Sequence, residues 1–248
     1  MTSRHSTPAA GAPGDYFATT HWTVVLSAGG RGTPQSKMAL EELCRTYWYP
    51  LYAYVRRQGH SQEDAEDLTQ TFFARFLEKN YLEKLSSEQG KFRAFLLVSL
   101  KHFLANEWDR AGRQKRGGGV APLSLDWQDA DTRFQIDPAD HLSPDKLYDR
   151  AWAVTLLERV IIRLATENAV ADRVGLFEHL RPFLMAGSSA FYAPTAAQLG
   201  MTEGAVRVAV HRLRRRYREL LRQEIGQTLA QPERIEEEIQ ALFRAFAD

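Results

Sequence analysis

Residues 195–221 read TAAQLGMTEGAVRVAVHRLRRRYRELL, and this stretch decides the fold of the C-terminal part of the chain. Pro194–Leu199 predicts a short helix, because proline is tolerated at the first helical position and two small alanines allow close packing. Gly200 predicts a turn, since glycine adopts a positive φ at little cost. Thr202 is a typical N-cap, and Glu203 follows it in the first turn of a longer helix. Together these residues predict a helix-turn-helix.

The longer helix predicted after Thr202 has two chemically distinct faces. One face is apolar and consists of Val206, Val210, Leu213, Tyr217 and Leu220. The other face is basic and consists of Arg207, His211, Arg214, Arg215 and Arg218, with Arg212, Arg216 and Arg222 beside it. A solvated helix face usually mixes acids with bases, but Glu219 is the only acid between Arg207 and Arg222. We therefore interpret the basic face as a DNA-binding surface, in the spacing of a recognition helix that enters a major groove.

The two ends of such a helix have different roles. Its N-terminal end, capped by Thr202, approaches base edges, so Glu203, Arg207 and His211 are the candidates for base readout. The guanidinium of Arg207 fits a guanine. Phosphate contacts are predicted for Arg212, Arg214, Arg215 and Arg218.

Helical periodicity continues upstream of this motif, and convincing strand alternation is absent. Composition and periodicity divide the chain into five segments. They are a largely disordered N-terminal tail (1–35), a compact helical domain (36–116), a linker (117–145), the helix-turn-helix domain (146–222) and a C-terminal helical extension (223–248). The sequence therefore predicts an all-α protein of two small helical domains joined by a linker.

The first domain is predicted to hold three amphipathic helices. The first of them, Lys37–Arg57, contains Pro50, which predicts a kink or a division into two helices. Gly59 ends this helix. Ser61 then caps the second, whose first turn holds acids where the helix dipole favours them. The third helix begins near Lys91.

Composition and motifs exclude several classes of function. No P-loop, nucleophile elbow, dinucleotide turn or metal-ligand spacing is present, so we expect no catalytic residues, no cofactor and no metal. Cys44 is the only cysteine, which excludes an intrachain disulfide. No signal peptide or bilayer-length apolar run is found, and we expect a cytoplasmic protein without a membrane partner. The net charge is only +1, but the arginines at 207–222 create a local field that attracts a polyanion.

Three blocks of the sequence resemble sigma factors of the extracytoplasmic-function subfamily, in the sigma-70 family. Ser61–Leu77, SQEDAEDLTQTFFARFL, resembles region 2.2. Lys91–Arg116, KFRAFLLVSLKHFLANEWDRAGRQKR, resembles regions 2.3 and 2.4, and residues 195–221 resemble region 4.2. The blocks occur in the family's order, and the resemblance covers roughly 36–116 and 147–222.

The resemblance implies a protein that binds core RNA polymerase and directs promoter recognition and opening. Its partners are core RNA polymerase and promoter DNA, and an anti-sigma protein is a further candidate. In the family, the region 2.2 helix docks on a coiled coil of the polymerase β′ subunit. The corresponding polar contacts here are Asp64, Glu66, Asp67 and Gln70. From the residues alone, the same helix is equally a capped helix with a solvated acidic start.

The helix from Lys91 mixes aromatic and basic residues, which suits a single DNA strand because bases stack on rings and cations follow the phosphates. The family uses this region to capture a flipped base of the minus-ten element. The implied contacts are Lys101, Asn106, Trp108, Arg110 and Arg113. The spacing instead assigns Phe92, Phe95 and Phe103 to the core. Packing of Trp108 as a cap on the helix end is the alternative for that residue.

A different class of protein also fits part of the pattern. In a conventional helix-turn-helix regulator, residues 36–116 would sense a signal or dimerise. The lead-in Phe191–Ala197 and the long linker depart from the usual sigma-factor sequence. The extension from Gln223 carries an apolar stripe, and we expect it to pack on one of the domains and to regulate exposure of a binding face.

Overall fold

A computed structural model of the chain describes residues 34–78, 91–111, 134, 142–185, 191–229 and 231–246. Within these ranges the regular secondary structure is helical, with one isolated antiparallel bridge between Lys91 and Leu229 and no strand, which confirms the all-α class. Most of the predicted tail (1–35) and linker (117–145) lies outside the described residues.

Eight α-helices occur in the described ranges. They are α1 (Pro34–Arg57), α2 (Gln62–Glu78), α3 (Phe92–Ala111), α4 (Pro144–Val170), α5 (Val174–Leu180), α6 (Ala193–Leu199), α7 (Glu203–Gln227) and α8 (Ile235–Arg244). A short 3₁₀ helix, Arg181–Leu184, follows α5, and another, Pro232–Arg234, precedes α8.

Local signals explain where the helices in the first half of the chain begin and end. Helix α1 runs through Pro50 without interruption, so the predicted alternative of two separate helices is wrong. Gly59 adopts a φ of 94° just beyond the end of α1, as a stop signal requires. The hydroxyl of Ser61 accepts a hydrogen bond from the Asp64 backbone N–H (3.1 Å), which confirms the predicted cap of α2.

Helix α4 connects the N-terminal and C-terminal parts of the structure. Near its start, the hydroxyl of Tyr148 donates a hydrogen bond to the Arg93 carbonyl of α3 (2.9 Å), and Trp152 is buried. Towards its end, Arg159 and Arg163 form ion pairs with Glu224 of α7. The buried side chains form one continuous core. Helix α4 packs against both α1 and α7. The division of the chain into two domains therefore stays a prediction.

The C-terminal extension packs on the rest of the molecule. Helix α8 contacts α4 and α7, and it buries Glu238 and Leu242 completely. The Glu238 carboxylate forms ion pairs with Lys91 and with Arg93 of α3. A backbone hydrogen bond from the Phe92 N–H to the Thr228 carbonyl (3.2 Å) lies beside these pairs. The extension thus ties the start of α3 to the end of α7.

Candidate nucleic-acid interface

Helices α6 and α7 are joined by a tight turn. Gly200 ends α6 in the left-handed conformation, with a φ of 62°, and the Met201 N–H donates to the Ala196 carbonyl (2.9 Å). The Thr202 hydroxyl then accepts a hydrogen bond from the Ala205 N–H (3.2 Å), so Thr202 caps α7. These are the residues that the sequence assigns to the turn and the cap.

Some arginines of α7 are held by neighbouring elements. Arg214 donates from Nε and Nη2 to the Phe183 carbonyl, at 3.0 and 2.7 Å. Arg216 donates from Nε and Nη2 to the two carboxylate oxygens of Glu167, at 2.8 and 2.6 Å. The hydrogen bond from Arg216 lowers the pKa of Glu167 from its ordinary value. These two guanidiniums fix α7 on the 3₁₀ helix and on α4.

The lead-in to α6 supports the same helix. The ring of Tyr192 is buried against Phe183, with the ring centroids 5.0 Å apart. The guanidinium carbon of Arg207 lies 6.0 Å from the Tyr192 ring centroid, within the range of a cation–π contact. Phe191, the neighbour of Tyr192, is 74% exposed. The unusual lead-in therefore supplies Tyr192 as a platform under Arg207.

The remaining predicted contacts of α7 face solvent. Glu203, His211, Arg212 and Arg218 are exposed. Arg215 is also exposed and pairs with Glu219 one turn later, at 3.0 Å. The sequence-based prediction missed two further exposed residues, Gly204 and Val208, although a helical projection of the sequence places them among the arginines.

Helix α3 places its predicted DNA contacts in different surroundings. Lys101 pairs with Asp145 of α4, and this hydrogen bond raises the pKa of Lys101. Asn106 is exposed, and Trp108 is 77% exposed, so the alternative of a packed Trp108 cap is wrong. The side chain of Arg110 and all of Arg113 lie outside the described residues. The exposed predicted contacts of α3, Asn106 and Trp108, thus lie toward its C-terminal end.

The predicted core residues of α3 behave as expected. Phe92 is 1% exposed, whereas Phe95 and Phe103 are half-buried and pack against the core. The Phe103 ring centroid lies 5.6 Å from that of Phe72 in α2. Aromatic contacts of this kind hold α2 and α3 together.

The acidic start of α2 is accessible. Asp64 and Asp67 are exposed, and Asp64 accepts a hydrogen bond from the Ser61 hydroxyl (2.7 Å). Glu66 is half-buried and accepts a hydrogen bond from Gln62 (3.1 Å), and Gln70 is half-buried.

An open cleft of about 390 Å³ lies between α2 and α3. Its walls include Asp64 and Asp67 from α2 and Leu104 and Trp108 from α3. The structure therefore brings two predicted polymerase contacts and one predicted DNA contact to a single cleft.

Comparison with known proteins identifies the N-terminal part of this arrangement. Residues 43–114 match the family model of sigma-70 region 2, and the matched segment takes in the described parts of α2 and α3 and most of α1. No curated protein and no solved structure matches the chain significantly. Residues 43–114 are therefore similar to region 2 of the sigma-70 family. Within the described ranges, no helix has the length and apolarity that crossing a membrane requires.

Proposed function

We propose that this chain is a sigma factor of the extracytoplasmic-function subfamily, which binds core RNA polymerase in the cytoplasm and directs promoter recognition and opening. One observation carries the proposal: a region 2 match at 43–114 is followed in the same chain by a capped, arginine-faced helix, α7. A sensor or dimerisation domain requires neither the acidic α2 nor the aromatic and basic α3. The protein has no chemistry of its own in this function.

Polymerase binding is assigned to the start of α2. The exposed carboxylates of Asp64 and Asp67 suit basic side chains of a partner helix, and Glu66 and Gln70 extend the same surface along α2. Because the cleft between α2 and α3 has apolar walls at Leu68 and Leu104, it also accepts an apolar side chain of that partner. An anti-sigma protein is a further candidate for a partner.

Promoter opening is assigned to the C-terminal end of α3. An unpaired base can stack on the exposed ring of Trp108, and Asn106 beside it can hydrogen-bond a base edge. Lys101, Arg110 and Arg113 supply positive charge along the strand. Lys101 is paired with Asp145, so its contact with DNA requires that this pair opens.

Upstream recognition is assigned to α7. Glu203, Arg207 and His211 approach base edges, and Thr202 holds the capped helix end that faces the DNA. The exposed side chains of Arg212, Arg215 and Arg218 suit phosphates. Arg214 contributes mainly by anchoring α7, because its guanidinium is bound to the Phe183 carbonyl.

In vitro transcription tests the proposal, with core RNA polymerase from the organism that encodes this chain. The full chain is added to core polymerase on a promoter library, and we expect transcripts from a defined subset of sequences. Binding of the chain to duplex DNA without any binding to core polymerase would instead identify a helix-turn-helix regulator.

Two variants make the test specific. Asp67→Ala removes a proposed polymerase contact, and we expect weaker binding to core polymerase. Glu178→Ala removes an exposed acid from α5, outside the proposed surface, and serves as the control. Equal core binding by the two variants would contradict the assignment of this surface.

A further inference from the structure

We infer that Val208 reads the C5-methyl group of a thymine in the upstream promoter element, and that Gly204 lets the helix backbone approach the base pair. The inference rests on the proposed role of α7 as the helix that reads upstream DNA. It adds an apolar contact to a surface that otherwise binds DNA through its arginines.

The position of Val208 on α7 supports the inference. An α-helix turns 100° per residue, and the buried side chains Val206, Val210 and Leu213 mark the side of α7 that faces the core. Gly204 and Val208 lie on the diametrically opposite side, one turn apart. Val208 is 51% exposed, so its methyl groups point into solvent at the centre of the outer face.

The stability of the fold does not explain either residue. A Cβ added at Gly204 would meet nothing closer than the Thr202 hydroxyl oxygen, at 4.0 Å, so packing within the chain does not require a glycine. Glycine and β-branched residues are both poorer helix formers than alanine. The first turns of α7 therefore carry two residues that weaken the helix without filling the core, which points to a contact outside the chain.

The surroundings identify the chemistry of that contact. Arg207, Arg212 and Arg215 lie around Val208 on the exposed part of α7, and such a ring of cations favours a polyanion over an apolar protein surface. In the major groove of DNA, the apolar group available to a valine is the thymine methyl. The missing side chain at Gly204 leaves the space that close approach of the backbone requires.

Arg207 and Val208 are adjacent residues of α7 and therefore lie about 100° apart around the helix. Val208 lies at the centre of the outer face, and Arg207, whose guanidinium contacts Tyr192, lies at its edge. Adjacent residues on one recognition helix reach neighbouring base pairs. The thymine read by Val208 is therefore expected to lie next to the guanine read by Arg207.

Replacement of thymidine by deoxyuridine tests the inference, because uracil lacks the methyl but keeps every hydrogen-bonding group. The probe is a pool of promoter duplexes randomised in the upstream segment, made once with thymidine and once with deoxyuridine. The full chain in complex with core RNA polymerase selects from each pool. We expect one position to prefer thymine in the first pool and to lose this preference in the second. Binding to the selected duplex is expected to weaken about four-fold, the value of one buried methyl.

Variants then assign the methyl contact to Val208. Val208→Ala is expected to select the same motif at all other positions and to bind the thymidine and deoxyuridine duplexes equally. Ile162→Ala, which trims an exposed aliphatic side chain on α4, is the matched control and should behave as the wild type. Gly204→Ala is expected to raise the thermal midpoint while weakening binding to the selected duplex.

The outcomes separate this inference from the proposed function. A motif that is the same in both pools, or a Val208→Ala variant that still distinguishes thymine from uracil, overturns the role of Val208. Unchanged DNA binding by Gly204→Ala overturns the role of Gly204. If the wild type selects no motif from either pool, upstream recognition by α7 fails as well, and the proposed function fails with it.

Discussion

Helices α3 and α7 both carry cations toward proposed DNA contacts, but they use them differently. In α3, Arg93 is paired with Asp149 and Glu238, and Lys101 is paired with Asp145. In α7, the side chains of Arg212 and Arg218 are exposed. In α3, Arg93 and Lys101 thus hold the neighbouring helices α4 and α8. The exposed arginines on the outer face of α7 remain available to bind DNA.

The start of α3 and the end of α7 are joined to each other, and we call this the joined end. The end of α3 and the start of α7 carry the exposed predicted DNA contacts, and we call these the free ends. The Lys91–Leu229 bridge connects the start of α3 to the end of α7. Trp108 and Arg207 lie toward the opposite ends of the two helices, and both face solvent. Within α7, the face on which a cation lies decides whether it stabilises the fold or remains available for DNA, because the held Arg214 and Arg216 alternate along the helix with the exposed Arg212 and Arg218.

The largest effect is expected from breaking the joined end. Glu238→Ala leaves Lys91 and Arg93 without their fully buried partner, and we expect the free energy of unfolding to fall by roughly 3–5 kcal/mol. Urea denaturation measures this change. Glu236→Ala is the control, because Glu236 pairs with Arg222 at the surface and should contribute under about 1 kcal/mol. Similar losses in the two variants would show that the burial of Glu238 is not what stabilises the joined end.

The free end of α7 is tested by Arg207→Ala. We expect DNA binding to weaken by about 1–3 kcal/mol and the preference for one base to relax. Arg212→Ala is the comparison, since loss of a phosphate contact should weaken binding equally on all sequences and lower the salt dependence. Titrations of the polymerase complex on a set of upstream sequences distinguish the two cases. A uniform loss for Arg207→Ala would assign Arg207 to phosphate instead.

The free end of α3 is tested by Trp108→Ala. We expect the free energy of promoter opening to become less favourable by roughly 1–3 kcal/mol, which is the contribution of one stacked base. Thermal stability should change little, because Trp108 is exposed. Permanganate footprinting of unpaired thymines measures opening. Trp108→Phe should retain much of the activity, and Val98→Ala, at another exposed position of α3, should retain all of it. Full opening by Trp108→Ala would remove this residue from the DNA interface.

The smallest effect is expected from the ion pair that holds the middle of α7. Arg216 lowers the pKa of Glu167 below its ordinary value of 4.5, so the pair stabilises the fold above that pH. This stability is lost as the pH falls through the lowered pKa of Glu167. Because the pair is partly exposed, we expect less than about 1 kcal/mol.

Urea denaturation of Glu167→Gln between about pH 6 and pH 3 measures this contribution. The variant should lose less stability on acidification than the wild type, and Glu178→Gln, at an exposed position of α5, should follow the wild type. Identical acid dependence of the wild type and Glu167→Gln would rule out this contribution.

The elements set by local signals were predictable from the sequence. Gly200 and Thr202 mark a turn and a cap through their own backbone and side-chain preferences, and the structure places them there. The uninterrupted passage of α1 through Pro50 was not predictable from that residue. Helix α1 is buried on both sides of the proline, at Tyr47 and Leu51, and this packing outweighs the local penalty.

Contacts between distant parts of the chain were not predictable. The hydrogen bond between Arg93 and Glu238 joins residues 145 positions apart, and no periodicity signals such a pair. The anchoring of Arg214 on the Phe183 carbonyl is similarly hidden, because a backbone acceptor leaves no trace in the sequence. The exposure of Gly204 and Val208, in contrast, was predictable from helical spacing.

The sharing of α4 has a consequence for how the molecule unfolds. This helix has 27 residues and is about 40 Å long, and it packs against both α1 and α7. Unfolding of α4 removes packing from both parts at once, so the two parts are thermodynamically coupled. Calorimetry should therefore show one cooperative transition, with a van't Hoff enthalpy close to the calorimetric one, where two independent domains would melt separately.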